Sequence, residues 1–258
     1  MSGDWFYGIR IEVLAPVTVL LIGGAAEFGN WVGLRFHAAR EENADASTLA
    51  GATLGLLALL VAFSFSMAEE RYLLRSEMVF EEANAISSTA NFALMLPQPV
   101  QKPILGMLRD YTAIRISLGV PEDSEKMERD VARSVALQTS LWQQATAVMA
   151  ENPQSLAVYQ FVKSLNEMNN IHETRLTYLR NHVPSAVIIM LIGTAMVAMG
   201  FTGYNAGVIG GRRHLSAYIM TLTMALLIML VVDLDRPDRG VVNVPVQALV
   251  DTLGSIPP

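Results

Sequence analysis

Four stretches of this 258-residue chain are too apolar to be surface helices of a domain that folds in water. Residues 46–68 and 183–209 carry no formal charge, and residues 215–232 form an uncharged run of 18. The remaining stretch, residues 13–26, is cut short by Glu27. Carrying it on to residue 34 gives 22 residues with Glu27 inside the span. A helix needs about 20 apolar residues to cross a bilayer. Lipid offers no partner for exposed backbone groups, so each stretch is expected to be a helix. Hydrophobic residues reach 52% and charged residues only 16%, against about 25% charged in ordinary soluble domains. Because the apolar excess is gathered into these runs, it reads as membrane spans and not as a large soluble core.

The net charge of −6 provides no basic face, so nucleic acid is not an expected partner. The absence of cysteine removes disulfides, thiolate metal sites and cysteine nucleophiles. No basic segment precedes the first apolar run, so that run is expected to stay as a span and not to be a cleaved leader.

Residues 69–182, between the second and third spans, carry acids and bases throughout. Residues 68–96 read as one long helix continuing the second span, with Leu73, Leu74, Met78, Val79, Ala83, Ile86 and Ala90 at helical spacing. Pro97, Pro99 and Pro103 end it. Further helices are expected around residues 102–118, 125–150 and 155–180, with Asp123 or Ser124 as the cap of the middle one. The expected fold is therefore an all-α integral membrane protein. Its four transmembrane helices form two pairs, residues 11–68 and 183–233, around a helical domain at 69–182, with a C-terminal tail at 234–258. The termini and the helical domain then share one side of the membrane. Arg10, Arg71, Arg75, Arg175, Arg180, Arg236 and Arg239 lie on that side, against Arg35, Arg40, Arg212 and Arg213 on the other. This excess favours a cytoplasmic domain.

An ionisable group within a span needs a partner, and for Glu27 Arg212 or Arg213 is a candidate; snorkelling to the headgroups, pairing between subunits and a place in an ion pathway are the competing readings. Small residues such as Gly23, Gly24, Gly51, Gly55, Gly193 and Gly200 suit close helix packing. Leu56, Leu60, Phe63 and Met67 share one stripe of the second span and are the candidate pore lining. Ordinary core packing is the competing reading for each of them. Beyond the span, Glu69, Glu70, Glu77, Glu81 and Glu82 face Arg71 and Arg75, which suits either a cation-attracting rim or helix-packing ion pairs. Asp233 and Asp235 sit at a helix C-terminus, where the dipole disfavours acids, so specific partners are expected, with Arg71 or Arg75 as candidates. Asp110, Tyr111 and Arg115 suit a structural network better than a catalytic one. No phosphate-binding glycine loop, nucleophile elbow or zincin helix occurs, and His37, His172, His182 and His214 lack metal-ligand spacing. No enzymatic activity, cofactor or metal is expected.

A resemblance gathers these pieces. Glu27, Phe28 and Gly29 late in the first span, Arg71 through Glu81, Glu82, Ala83, Asn84 and Ala85, then Leu108 to Tyr111, and last Leu234, Asp235, Arg236, Pro237 and Gly240, resemble the bestrophin-like domain family of bacterial and plant membrane proteins. Where that family continues from Arg-Pro into an aromatic residue, this chain has Asp238 and Arg239. The resemblance implies four spans in two pairs, a cytoplasmic helical domain, a location in the bacterial inner membrane, and roles for Arg71, Glu82, Asn84, Asp235 and Arg236. It further implies kinship with bestrophins, pentameric anion channels whose pore is lined by the second helix of each subunit. Phe63 and Phe65 partly echo the aromatic neck of that pore. The expected function is an oligomeric channel for small inorganic ions, chloride by analogy, whose partners are lipid, further copies of the chain and the ions themselves. The alternative is a non-conducting scaffold or sensor whose helical domain binds a cytosolic protein.

Overall fold

The structure of the chain, a computed structural model, describes residues 9, 11–35, 40–118, 124–209, 214–236 and 242–258, with side chains described at all of these except 40–46, 124, 180 and 214–216. Among the described residues all regular secondary structure is helical. In chain order the helices are α1 (Ile11–Arg35), α2 (Arg40–Ala93), α3 (Gln101–Ser117), α4 (Ser124–Glu151), α5 (Leu156–Arg180), α6 (Ser185–Ile209), α7 (His214–Leu234) and α8 (Gln247–Ser255). They fall into two compact units. The first comprises Met1–Glu70 and His182–Arg236, the second Arg71–Asn181 and Pro237–Pro258.

Among the described residues four helices are long and apolar enough to cross a membrane: Ile11–Arg35, Ser47–Ala93, Ser185–Ile209 and Ala217–Leu234. Within the first unit, α1 packs along α6, and α7 lies against both. Glycine makes the α1–α6 approach possible. A Cβ on Gly29 would collide with the Gly200 carbonyl, one on Gly33 with that of Tyr204, one on Gly203 with that of Ala26, and one on Gly207 with that of Asn30. The two backbones therefore touch directly through two glycine pairs, each spaced by four residues. In lipid, where no hydrophobic force joins helices, such contact supplies the packing energy. Ile22, Leu57, Ile188, Leu191, Ala195 and Ile228 fill the rest of this core.

The second unit has its own core, built from the later part of α2 with α3, α4, α5 and α8. Val79, Ile86, Leu108, Leu141, Phe161, Leu165 and Met168 are at its centre. Ser155 caps α5 by accepting the Val158 N–H. At the other end of α5, Arg75 donates to the carbonyls of Tyr178 (3.3 Å) and Asn181 (2.8 Å), a cation placed where the helix dipole favours it.

Two boundaries differ from the sequence reading. The second apolar run starts at residue 46, yet α2 already begins at Arg40, because apolarity marks where lipid lies and not where a helix ends. Residues 247–255, read as part of a tail, form α8, whose Leu249 is buried in the second core together with Ile256. Arg109 ties the end of this segment down by donating to the Ile256 carbonyl, and Thr252 reaches the Ala83 carbonyl at 3.4 Å. Both expected caps, Asp123 and the Ser124 side chain, lie outside the described residues.

Candidate functional site

In the first unit α2 buries one side and leaves the other uncovered. Leu57, Ser64 and Ala68 face the core, while Leu56, Leu59 and Phe63 are 51%, 53% and 63% exposed, and Met67 is 37% exposed. Of the four candidate pore residues, Leu56, Phe63 and Met67 therefore lie on the open face. Leu60 turns partly into the core, as does Phe65. An apolar helix face left open in a single chain must be covered by lipid or by another protein surface.

Glu27 sits on an exposed face of α1 and accepts a 2.5 Å hydrogen bond from Tyr218 of α7. The candidate partners for it, Arg212 and Arg213, lie outside the described residues. Asp235 is buried at the end of α7, and one carboxylate oxygen accepts the Val183 N–H at 2.7 Å, just ahead of α6. An acid is well placed there, because the first turn of a helix attracts negative charge. His182 Nδ1 donates to the Asp235 carbonyl at 3.1 Å, and Arg236 donates to the Ile9 carbonyl. Pro237, Asp238, Arg239 and Gly240 lie outside the described residues.

The second unit holds a buried polar cluster centred on Glu82. Arg115 Nε donates to Glu82 Oε1 at 2.6 Å, and Arg175 Nη1 donates to Glu82 Oε2. Tyr111 Oη also donates to Glu82 Oε1, at 3.1 Å, and lies 3.0 Å from His172 Nδ1. The Tyr111 proton is thereby committed to Glu82, so Nδ1 of a neutral His172 is the donor to Tyr111. The Arg115 guanidinium lies 6.0 Å from the Tyr111 ring centre, within range of a cation–π contact. Five side chains from α2, α3 and α5 thus share one desolvated network. Burial, reinforced by the Arg115 charge, lowers the His172 imidazole to about 4, so it is neutral at physiological pH. Burial, with the Glu82 charge beside it, pushes the Tyr111 phenol well above its ordinary value. Burial also lowers Arg175, an effect that the Glu82 carboxylate opposes.

This arrangement decides what Glu82 can do. Both of its oxygens are held by guanidinium groups, so it is a structural anion and not part of a cation-attracting rim. Glu69, Glu70, Glu77 and Glu81 are exposed. Asn84 joins Glu81, Glu167, Ser88 and Ser164 in lining a cleft of about 340 Å³. Arg71 donates to the Asn181 side chain at 3.1 Å. Asp110 is exposed, whereas its neighbours Tyr111 and Arg115 belong to the cluster.

The sequence reading did not single out His172 and Arg175 as partners of Glu82. A signal was present. Arg75, Glu82 and Thr89 recur every seven residues on the buried stripe of α2, among Val79, Ala83, Ile86 and Ala90. Charges set at core positions point to partners on the facing helices.

Four helices among the described residues that are long and apolar enough to cross a membrane, a second helix that runs on beyond its apolar stretch, and a further all-helical core describe an all-helical membrane protein. The structure is similar to that of a bestrophin homologue from Klebsiella pneumoniae, at 15% identity and a TM-score of 0.65, covering 96% of this chain and 100% of that one. A single-substitution variant of a Klebsiella pneumoniae bestrophin homologue matches at 13% identity and a TM-score of 0.60, over 93% and 98% of the two chains. A variant of a protein described only as a membrane protein matches at 15% identity and 0.62, over 94% and 95%. At these identities the likeness establishes the fold. Comparison with curated protein sequences gives no significant match. The family model of the bestrophin-like domain matches residues 22–249, and the chain belongs to that family.

Proposed function

We propose that the protein is an oligomeric ion channel in which copies of α2 surround a common axis and line the pore with Leu56, Phe63 and Met67, flanked by Leu60. The observation that carries this reading is the open apolar face of α2 in a fold shared with bestrophin homologues. A ring of apolar side chains at a constriction can gate ion passage by dewetting. By resemblance to bestrophins the assembly is a pentamer in the inner membrane. Along the chain the four spans come as two pairs, the first with the second and the third with the fourth, on either side of a cytoplasmic helical unit, and the permeant ions are anions such as chloride. Arg71, Asn84, Asp235 and Arg236 then act as positioning residues for the helices that frame the pore.

Purified protein reconstituted into liposomes tests the reading. Chloride flux is expected, and Phe63→Ala is expected to raise it several-fold by widening the apolar ring. Potassium flux exceeding chloride flux would reverse the proposed selectivity. Liposomes that stay tight at several voltages and ionic compositions would overturn the channel and favour a non-conducting scaffold.

A further inference from the structure

The core of the second unit changes character along its length. On α4 the buried stripe runs Asp130, Ser134 and Gln138, then Leu141, Ala145 and Val148. On α3 it runs from apolar to polar, Ile104 and Leu108 and then Tyr111 and Arg115. On α5 it does the same, Phe161 and Leu165 and then His172 and Arg175. The 2.7 Å hydrogen bond from Ser117 to Asp130 fixes the register of α3 against α4. Arg115, His172, Arg175 and Asp130 therefore gather at one end of the bundle, while the buried hydroxyls of Thr89 and Ser164 lie among apolar neighbours further along α2 and α5.

At that end the hydrogen bonding is incomplete in one direction. Arg115 is fully buried and uses only Nε toward Glu82; Nη1 and Nη2 have no partner, and neither has the buried Nε2 of Gln138. These are donors. The charges do not balance within the network either: one carboxylate, Glu82, serves two guanidinium groups, Arg115 and Arg175. Asp130, the other buried acid at this end, is engaged by Ser117. A buried cation with unmet donors carries a large desolvation cost unless an acceptor, best an anion, is present. His172 Nε2 is also unpartnered, but in the neutral ring it is a lone-pair acceptor and would not hold an anion.

We propose that the polar end of this core binds a small inorganic anion of halide size at the terminal nitrogens of Arg115, with Gln138 as a second donor. The site lies within the helical unit and is separate from the apolar face of α2. It binds a halide whether or not the protein conducts, and in a chloride channel it would let the helical unit sense the permeant ion.

The test uses the full chain in detergent. The apparent melting midpoint is measured in sodium chloride, sodium bromide and sodium gluconate at equal ionic strength. The halides are expected to raise it by about 5 °C over gluconate, the shift a ligand well above its Kd gives a protein of this size. Gln138→Leu is expected to abolish that difference. Because a core variant can fail to fold, crystals of the unsubstituted protein in bromide provide the second arm, with an anomalous peak expected within hydrogen-bond distance of Arg115 Nη1 or Nη2. Equal midpoints in halide and gluconate, or an ordered water with no bromide signal at Arg115, would overturn the proposal.

Discussion

Glu82 is the residue on which the second unit turns. It is fully buried and held by Arg115, Arg175 and Tyr111 from two other helices. Glu82→Gln removes the charge but keeps the shape, leaving two buried guanidinium groups facing a neutral amide. Breaking a buried pair from one side costs about 3–5 kcal/mol, so the variant should show a sharply lowered melting midpoint in detergent. Tyr111→Phe should cost less, about 1–2 kcal/mol, since it removes one hydrogen bond and no charge. His172 adds a pH dependence. Its folded value of about 4 lies below the ordinary imidazole value of 6.5. Between those two the unfolded chain binds a proton that the folded chain refuses. Stability is therefore full above pH 6.5 and is lost as pH falls toward 4, by up to about 3 kcal/mol. Melting curves across that range should show the slope, and His172→Gln should flatten it. Little of this was legible one residue at a time. Tyr111 and Arg115 read as a network from the sequence, but a network's partners depend on which helices face one another, and Glu82 looks the same as Glu81 until burial separates them.

At the scale of the element, the helices were the most legible part. Long uncharged runs and prolines mark them because lipid and the backbone impose the same rule on any sequence. The long helix through residues 68–96 was readable for the same reason: no breaker interrupts its period before Pro97, and α2 runs unbroken to Ala93. The α8 helix was not readable, since nine residues give too few turns to establish a period. Nor was the α1–α6 seam singled out, although Gly29 with Gly33 and Gly203 with Gly207 carry the four-residue spacing of close membrane packing. The seam makes a graded prediction. Gly203→Ala places a methyl on the Ala26 carbonyl and should destabilise by about 1–3 kcal/mol or prevent folded protein from accumulating. Gly200→Ala meets only an ordinary 3.6 Å contact with the Ala25 carbonyl and should be tolerated. Detergent melts of the two variants distinguish them, and equal losses would mean that the helices do not pack through Gly203.

For the molecule as a whole, a single chain leaves an apolar stripe of α2 open at Leu56, Leu59 and Phe63. Facing lipid alone, that stripe has no specific role; facing an axis, it is a pore lining. The channel proposed above requires the axis. The sequence marked this stripe by helical spacing but could not tell a pore-facing leucine from a core leucine, since both are apolar at the same period. Leu60, now partly packed in the core, shows the ambiguity directly. The most direct test is a single-particle structure of the full-length protein in lipid nanodiscs. A closed ring of subunits around a continuous axial path is expected, with Leu56, Phe63 and Met67 of each copy facing the axis. A monomer, or an assembly whose α2 faces are all covered by lipid, would contradict it.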